Sequence, residues 1–325
     1  MPARPCAAPP RPDAGTAASP RRASTRRTVL RASSESTGSA ESAAGSAAEI
    51  PDLVIASVHK QFRGAGDEPV TALDGVDLTV SSGTIVSVIG SNGAGKSTML
   101  SVVAGNVLPD RGRVLIRGDE MTGAPSWRRV RRISRVRQNP QDNMISTLTI
   151  EENFAIALAG KRGRFRLRRP RRNAVRDIAA EALRPLGMGL ENRLSAVSGT
   201  LSGGQRQAIA IAMASLGSPA LMLLDEHVAA LDPNSAARVN EATERIVREQ
   251  RITTLMVTHD MAHALHHADR LVMMHAGKVV LDLQDGALTD VTPHQLQERF
   301  AALSGGTLSD ASLLSVARGK AGTDG

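Results

Sequence analysis

Gly90-Ser91-Asn92-Gly93-Ala94-Gly95-Lys96-Ser97-Thr98 follows an apolar run at residues 85–89 and precedes an apolar pattern of helical spacing. Strand, glycine-rich turn and helix in that order form the context of a phosphate-binding P-loop. Glycine lets the backbone wrap closely around an anion, so that successive N–H groups of the loop and the helix N-terminus point at phosphate. Lys96 would then reach the β- and γ-phosphates, and the Ser97 hydroxyl would ligate Mg²⁺.

Two stretches further along extend this reading. Leu221-Met222-Leu223-Leu224-Asp225-Glu226 is an apolar strand pattern ending in adjacent carboxylates. Asp225 can hold Mg²⁺ through water, and Glu226 points where a nucleophilic water could be deprotonated. Taken alone, an acidic pair after a strand is an ordinary loop start. Leu201-Ser202-Gly203-Gly204-Gln205 opens an Ala/Ile-rich helical run, and there free N–H groups, a serine and two glycines leave room for an anion. In isolation this too reads as a plain serine N-cap, but it stands 23 residues before Asp225 and far after Lys96.

Together these stretches resemble the ABC ATPase family over residues 51–300. Residues 90–98 match its Walker A motif, 221–226 its Walker B motif and 201–205 the signature that separates it from other P-loop proteins. The resemblance implies further roles. Gln138, in Val-Arg-Gln-Asn-Pro, resembles the Q-loop glutamine that touches Mg²⁺ and water and couples the site to a membrane partner. Asp232, in Ala230-Leu231-Asp232, resembles the D-loop, which signals across a dimer. His259 resembles the switch histidine that contacts the γ-phosphate. Phe62 sits where the family offers an aromatic ring to adenine, though a phenylalanine beside a strand is equally a core residue. His227 is a departure, standing where many members have proline or another residue; a surface loop position and participation in the site are equal readings of it, and it is assigned no chemistry.

The implied fold is α/β: a P-loop NTPase of ABC type, with a RecA-like, mainly parallel sheet, an antiparallel β subdomain and a helical subdomain at about residues 140–207. Implied cofactors are ATP and Mg²⁺, the metal on Ser97, Asp225 and Gln138. The implied assembly is a homodimer in which the signature of one copy faces the Walker motifs of the other, driving separate permease subunits. Residues 224–233, 255–259 and 272–275 look most like ATPases of an importer group for amino acids or similar small solutes. That adds a solute-binding protein to the expected partners and places the chain at the cytoplasmic face of the cell membrane.

Composition agrees with such a motor and argues against other classes. Of the net charge of +8, the first 48 residues supply half, through seven arginines against Asp13, Glu35 and Glu41. Aromatics make up 2% of the chain and tyrosine is absent, which speaks against base-stacking platforms and hence against nucleic acid as partner. The single cysteine, Cys6, cannot form an internal disulfide. No apolar run reaches the roughly 18 residues of a membrane helix. A soluble ABC ATPase acting on nucleic acid or the ribosome is the competing class. It is disfavoured because only 105 positions separate Lys96 from Leu201, too few for long coiled coils, and no second P-loop is present.

Residues 1–50 are rich in Ala, Ser, Pro and Arg and are expected to be a disordered extension; an organellar transit peptide is the alternative. Residues 301–325 are expected to be a flexible tail. Strand patterns fall at 53–58, 71–80, 84–89, 113–116, 221–224, 253–257 and 271–274, with Asp74-Gly75 and residues 81–83 read as turns. Helical patterns fall at 150–186, 205–216 and 234–250. His259, His263, His266 and His267 have the spacing of metal ligands on one helix face, but no carboxylate partner is evident in sequence. The basic run from Lys161 to Arg172 reads as a solvated insertion loop, or as a patch for anionic lipid headgroups.

Overall fold

The run Ile85-Val86-Ser87-Val88-Ile89, apolar but for one serine, becomes a strand buried along its entire length in the computed structural model, which describes residues 50–64, 66–162, 172–284, 286–289 and 291–303. The expectations for 1–49, most of the basic run and the tail beyond Leu303 lie outside the described residues. In chain order the first elements are β1 (Leu53–Arg63), β2 (Pro69–Val80), β3 (Ile85–Gly90), α1 (Lys96–Ala104), β4 (Arg111–Ile116), β5 (Asp119–Glu120), α2 (Ser126–Arg129) and β6 (Ile133–Val136). The helical stretch follows, with α3 (Ile150–Arg162), α4 (Arg172–Leu183) and α5 (Gly203–Ser215). The chain continues through β7 (Leu221–Asp225), α6 (Pro233–Glu249), β8 (Thr253–Val257), α7 (Met261–His267), β9 (Arg270–His275), β10 (Lys278–Gln284), α8 (Gly286–Thr289) and α9 (Pro293–Leu303).

Two sheets result, as the resemblance implies. The first is antiparallel, in the order β2-β1-β4-β5. The second runs β10-β9-β3-β8-β7-β6, with every neighbouring pair parallel except β10 against β9. Strands covered on both faces read as continuous apolar runs, which is why β3, β7 and β8 are legible as strands without alternation. Helix α6 instead shows its buried face by period, with Val239, Ala242, Thr243, Ile246 and Val247 turned inward.

Apolar clusters lie on both sides of the larger sheet. One joins β3, β7 and β8 to α1 and the antiparallel sheet through residues such as Leu100, Val103, Leu223 and Val257. Another joins the opposite face to α3–α6 through Phe154, Leu183, Ile209 and Ile246. Each fully buried Leu, Ile or Phe contributes about 1.5–3 kcal/mol. At the far end of α1, the guanidinium of Arg129, 0% exposed, donates to the carbonyls of Val102 and Val103 at 2.8 Å each, and also to Ala124, Met121 and Thr122. It satisfies carbonyls that a helix C-terminus leaves open, and burial pushes its pKa down.

Three sequence expectations are corrected. Asp74-Gly75 is not a turn but an irregularity inside β2: Gly75 has φ 69°, and the register slips between Val58↔Val76 and Lys60↔Leu73. A one-residue bulge needs the same left-handed glycine as a hairpin turn, so the dipeptide cannot distinguish them. The helical pattern at 150–186 divides into α3 and α4, with a tight helical turn at Arg184–Leu186. Finally, β6 and β10, unforeseen in the sequence, complete the two edges of the larger sheet.

Candidate functional site

Strand β3 delivers Gly90 with φ 151°, and a side-chain carbon there would stand 2.2 Å from the Met274 carbonyl oxygen on β9. At Gly95 (φ 99°) it would stand 2.4 Å from the Ala72 carbonyl oxygen. Glycine at these two places is therefore required by the neighbouring backbone, before any ligand is considered. Between them Ala94 is buried while Asn92 and Gly93 are exposed, and the Ala94 N–H donates to Ser91 O at 3.1 Å. The loop opens α1, whose first residues are Lys96, Ser97 and Thr98. Lys96 Nζ donates to the carbonyls of Gly90 (2.8 Å) and Ser91 (2.9 Å), tying the end of the loop to its beginning.

Asp225 closes β7, paired in register with Val257 of β8, and Glu226 follows at φ 43° with its N–H donating to Val257 O at 3.0 Å. A left-handed non-glycine residue is uncommon and costs of the order of 1 kcal/mol or more; here it turns Glu226 out of the strand. Its Oε2 lies 3.9 Å from His259 Nδ1, beyond the end of β8. Ser97 Oγ lies 3.5 Å from Asp225 Oδ1, and Arg135 Nη2 on β6 lies 2.6 Å from Asp225 Oδ2. A hydroxyl and a carboxylate are the hard oxygen donors that Mg²⁺ takes, so this pair fits the ion. Sequence-distant Lys96, Ser97, Asp225, Glu226 and His259 thus gather where β3, β7 and β8 end.

Other expected residues stand elsewhere. Gln138 is exposed in the segment after β6, and among the described residues no hydrogen bond joins it to Asp225; Arg135 occupies that place. The segment around it is held to α5, because Gln207 Nε2 donates to Arg137 O at 3.2 Å and Asn143 Oδ1 accepts from the Arg137 N–H at 2.8 Å. Phe62 is 42% exposed near the end of β1, with Lys60 Nζ 5.4 Å from its ring centre, so it is not a core residue. Ser202 caps α5: its Oγ accepts from the Gln205 N–H and its own N–H donates to Gln205 Oε1, both at 3.2 Å. A side-chain carbon at Gly203 would meet Leu231 at 3.2 Å, and one at Gly204 would meet Ser235 at 2.9 Å, so these glycines let α5 pack on the start of α6. Asp232 caps α6 by accepting from the Ser235 N–H at 3.0 Å, and that side chain and backbone hold its carboxyl below the usual range. No hydrogen bond among the described residues links 202–205 to 90–98.

His227 is corrected: it is 2% exposed rather than on a surface loop. It lines a cavity of about 20 Å³ with Asn240, Glu244, His263 and His267. Burial, and secondarily His263, pushes its pKa down to about 3. His267 Nδ1 stands 2.6 Å from Glu244 Oε2, a carboxylate partner that the local sequence did not reveal. Even so, among the described residues no three His, Cys, Asp or Glu side chains are placed to hold a metal. Sequence reasoning also missed Arg135. Its signal was a lone charge in the short run Ile133-Ser134-Arg135-Val136, where an unpaired charge is costly.

The pattern of the ABC transporter family matches residues 73–229. A tyrosine transport ATP-binding protein of Clostridioides difficile (strain R20291) is 38% identical over 248 residues, which cover 76% of this chain and 98% of that one. A methionine import ATP-binding protein of Rhodopseudomonas palustris (strain BisB5) is 36% identical over 261 residues, 77% of this chain but 66% of the relative, so this chain spans about two thirds of its length. Among solved structures, a dimeric ATP-binding cassette in a post-hydrolysis state with ADP and Pi superposes with a TM-score of 0.61 at 28% identity, over 71% of this chain and 98% of the other. Motifs, fold and relatives agree, and the chain belongs to the ABC transporter ATP-binding family.

Proposed function

We propose that the chain is the ATP-hydrolysing subunit of an importer for an amino acid or similar small solute, working as a homodimer at the cytoplasmic face of a membrane on separate permease subunits. The reading is carried by one observation: the P-loop, Asp225, Glu226 and His259 converge within a single chain, while Ser202 and Gln205 cap their own helix with no hydrogen bond to those residues among the described ones. A phosphate cradle and a base without the signature's N–H groups make half a site, and a second copy supplies the rest. The tyrosine and methionine relatives support the solute class, and a solute-binding protein belongs to an importer of this kind. No described helix is long and apolar enough to cross a membrane, in keeping with separate permease subunits.

In this mechanism the N–H groups of residues 90–98 and the Lys96 ammonium bind the β- and γ-phosphates. Ser97 and Asp225, with Gln138 from its exposed segment, would hold Mg²⁺, which when bound supplies positive charge to the phosphate oxygens. Glu226 accepts a proton from the attacking water, and His259 orients the γ-phosphate. Phe62 receives the adenine ring. Asp232 and the start of α6 lie beside the signature glycines, so closure of one site is felt at the other. Beside Gln138, a groove of about 560 Å³ lined by Val130, Arg137, Ile145 and Ile156 receives a cytoplasmic helix of the permease. Its exposed apolar side chains would otherwise face water.

The test is Glu226→Gln. ATP affinity is expected to stay within about twofold, while turnover falls by about 100- to 10,000-fold, the contribution of a general base. Size-exclusion chromatography with ATP should then show a trapped dimer. Turnover at the unmodified rate would refute the role given to Glu226.

A further inference from the structure

Asp225 is engaged at both oxygens. Ser97 Oγ lies 3.5 Å from Oδ1, and Arg135 Nη2 lies 2.6 Å from Oδ2. Strand register makes the second contact: Arg135 on β6 pairs with Leu223 of β7, and its long side chain reaches two residues onward, roughly 6.6 Å at the rise of a strand, to the carboxylate. The two side chains are 18% and 16% exposed, so salt screens the pair weakly. Arg135 Nη1 also lies 3.4 Å from Ser101 Oγ, whose hydroxyl donates to Ser97 O at 2.7 Å, so the guanidinium also reaches the helix that carries Ser97. The remaining strand residues, Ile133, Ser134 and Val136, are buried.

A carboxylate beside a phosphate-binding loop repels the polyphosphate unless a cation neutralises it. Building on the reading of residues 90–98 and Asp225 as an ATP–Mg²⁺ site, we propose that Arg135 is the resident counter-cation of Asp225, a positioning residue that sets how strongly nucleotide binding depends on Mg²⁺. With the guanidinium in place, nucleotide entry without the metal meets a neutralised carboxylate, and Oδ2 stays held while Oδ1 remains turned to Ser97. Without it, Asp225 presents a bare charge, so Mg²⁺-free nucleotide binds more weakly and the gain from Mg²⁺ grows. Arg135 also lines the groove beside Gln138. The counter-cation therefore lies between the surface proposed for the permease and the carboxylate proposed for the metal. An ion pair that serves packing alone would, on removal, lower stability and leave the Mg²⁺ dependence as it was.

The experiment measures ATP affinity of the full chain by calorimetry in excess EDTA and in excess Mg²⁺, for the unmodified protein, Arg135→Met and Arg135→Lys. The ratio of the two dissociation constants is expected to widen about tenfold in Arg135→Met, chiefly through weaker binding in EDTA, and to widen less in Arg135→Lys, which keeps the charge. An unchanged ratio in a folded Arg135→Met protein overturns the proposal, as does equal widening in the lysine variant. Should Arg135→Met fail to fold, Arg135→Gln keeps an amide donor for Asp225 without the charge. The same widening is then expected, and an unchanged ratio is equally fatal. If the unmodified chain bound no ATP in either buffer, the site reading and the role of Arg135 would fall together; ATP binding with an unchanged ratio removes the role of Arg135 alone.

Discussion

Helices α1 and α5 begin with similar chemistry and finish it differently. Each opens after a small, glycine-rich segment with N–H groups that have no partner within the helix. The N-cap of α1 is Gly95, left-handed at φ 99°, with no side chain to accept from the first turn. That of α5 is Ser202, which forms a reciprocal capping box with Gln205. The α1 end is thus left for an anion to cap, with Lys96 already folded over the loop. The α5 end is finished within its own chain, with Ser202 exposed and Gly204 buried, and its proposed role is to meet the nucleotide of a second copy. Glycines serve different ends as well: in the P-loop they permit a backbone conformation, whereas Gly204 permits close packing on Ser235.

The most damaging way to break this comparison is Gly90→Ala. The added carbon would lie 2.2 Å from a backbone oxygen that cannot move without displacing β9. A stability loss of about 3 kcal/mol or more is expected, read by urea unfolding, together with loss of ATP binding. A variant that unfolds like the unmodified chain would show that the loop tolerates another path. Acid provides a milder probe. His227 is neutral in the folded chain, with its pKa pushed to about 3 by burial first and by His263 second, against an ordinary 6.5. Between those values the unfolded chain binds more protons, so stability is full above pH 6.5 and drains as pH falls. By pH 5 the loss is about 2 kcal/mol. Thermal unfolding at pH 7.5 and 5 should show it, and His227→Gln should flatten the slope; an equal slope in that variant would discharge His227. Its cavity borders α6, the helix on which Gly204 leans, so amide exchange should loosen around α5 and α6 before α1.

What sequence could disclose follows the range of the interactions involved. β3, β7 and β8 were legible because burial on both faces leaves runs that are apolar but for Ser87, Thr253 and Thr254, and the P-loop because a positive-φ loop before a helix allows few residue types. That Glu226 and His259 would meet was not readable from either run, and was implied only by resemblance; their approach depends on β7 lying beside β8. β10 escaped notice because Lys278 and Gln284 bound it and Asp282 interrupts its apolar pattern at the sheet edge, where among the described residues one side has no strand to pair. His227 was misread since the burial of a loop residue is decided by α6 and α7, which arrive later in the chain. Arg135 carried a local sign, a charge inside a short apolar strand, but its partner is 90 positions away and is chosen by sheet order alone.

The subtlest change to a single chain, and the sharpest test of the two helix starts, is Ser202→Ala. Losing the cap leaves the Gln205 N–H without its acceptor, at a cost of about 1 kcal/mol. The affinity of the monomer for ATP should be untouched, because among the described residues no hydrogen bond joins this end to the P-loop. Dimerisation with ATP in a Glu226→Gln background should weaken, since the exposed serine belongs to the face proposed to meet the other copy. If α5 instead began as α1 does, as an open anion site of its own chain, the same substitution would lower monomer ATP affinity. Isotherms taken below the dimerisation concentration therefore decide whether the two ends serve one copy or two.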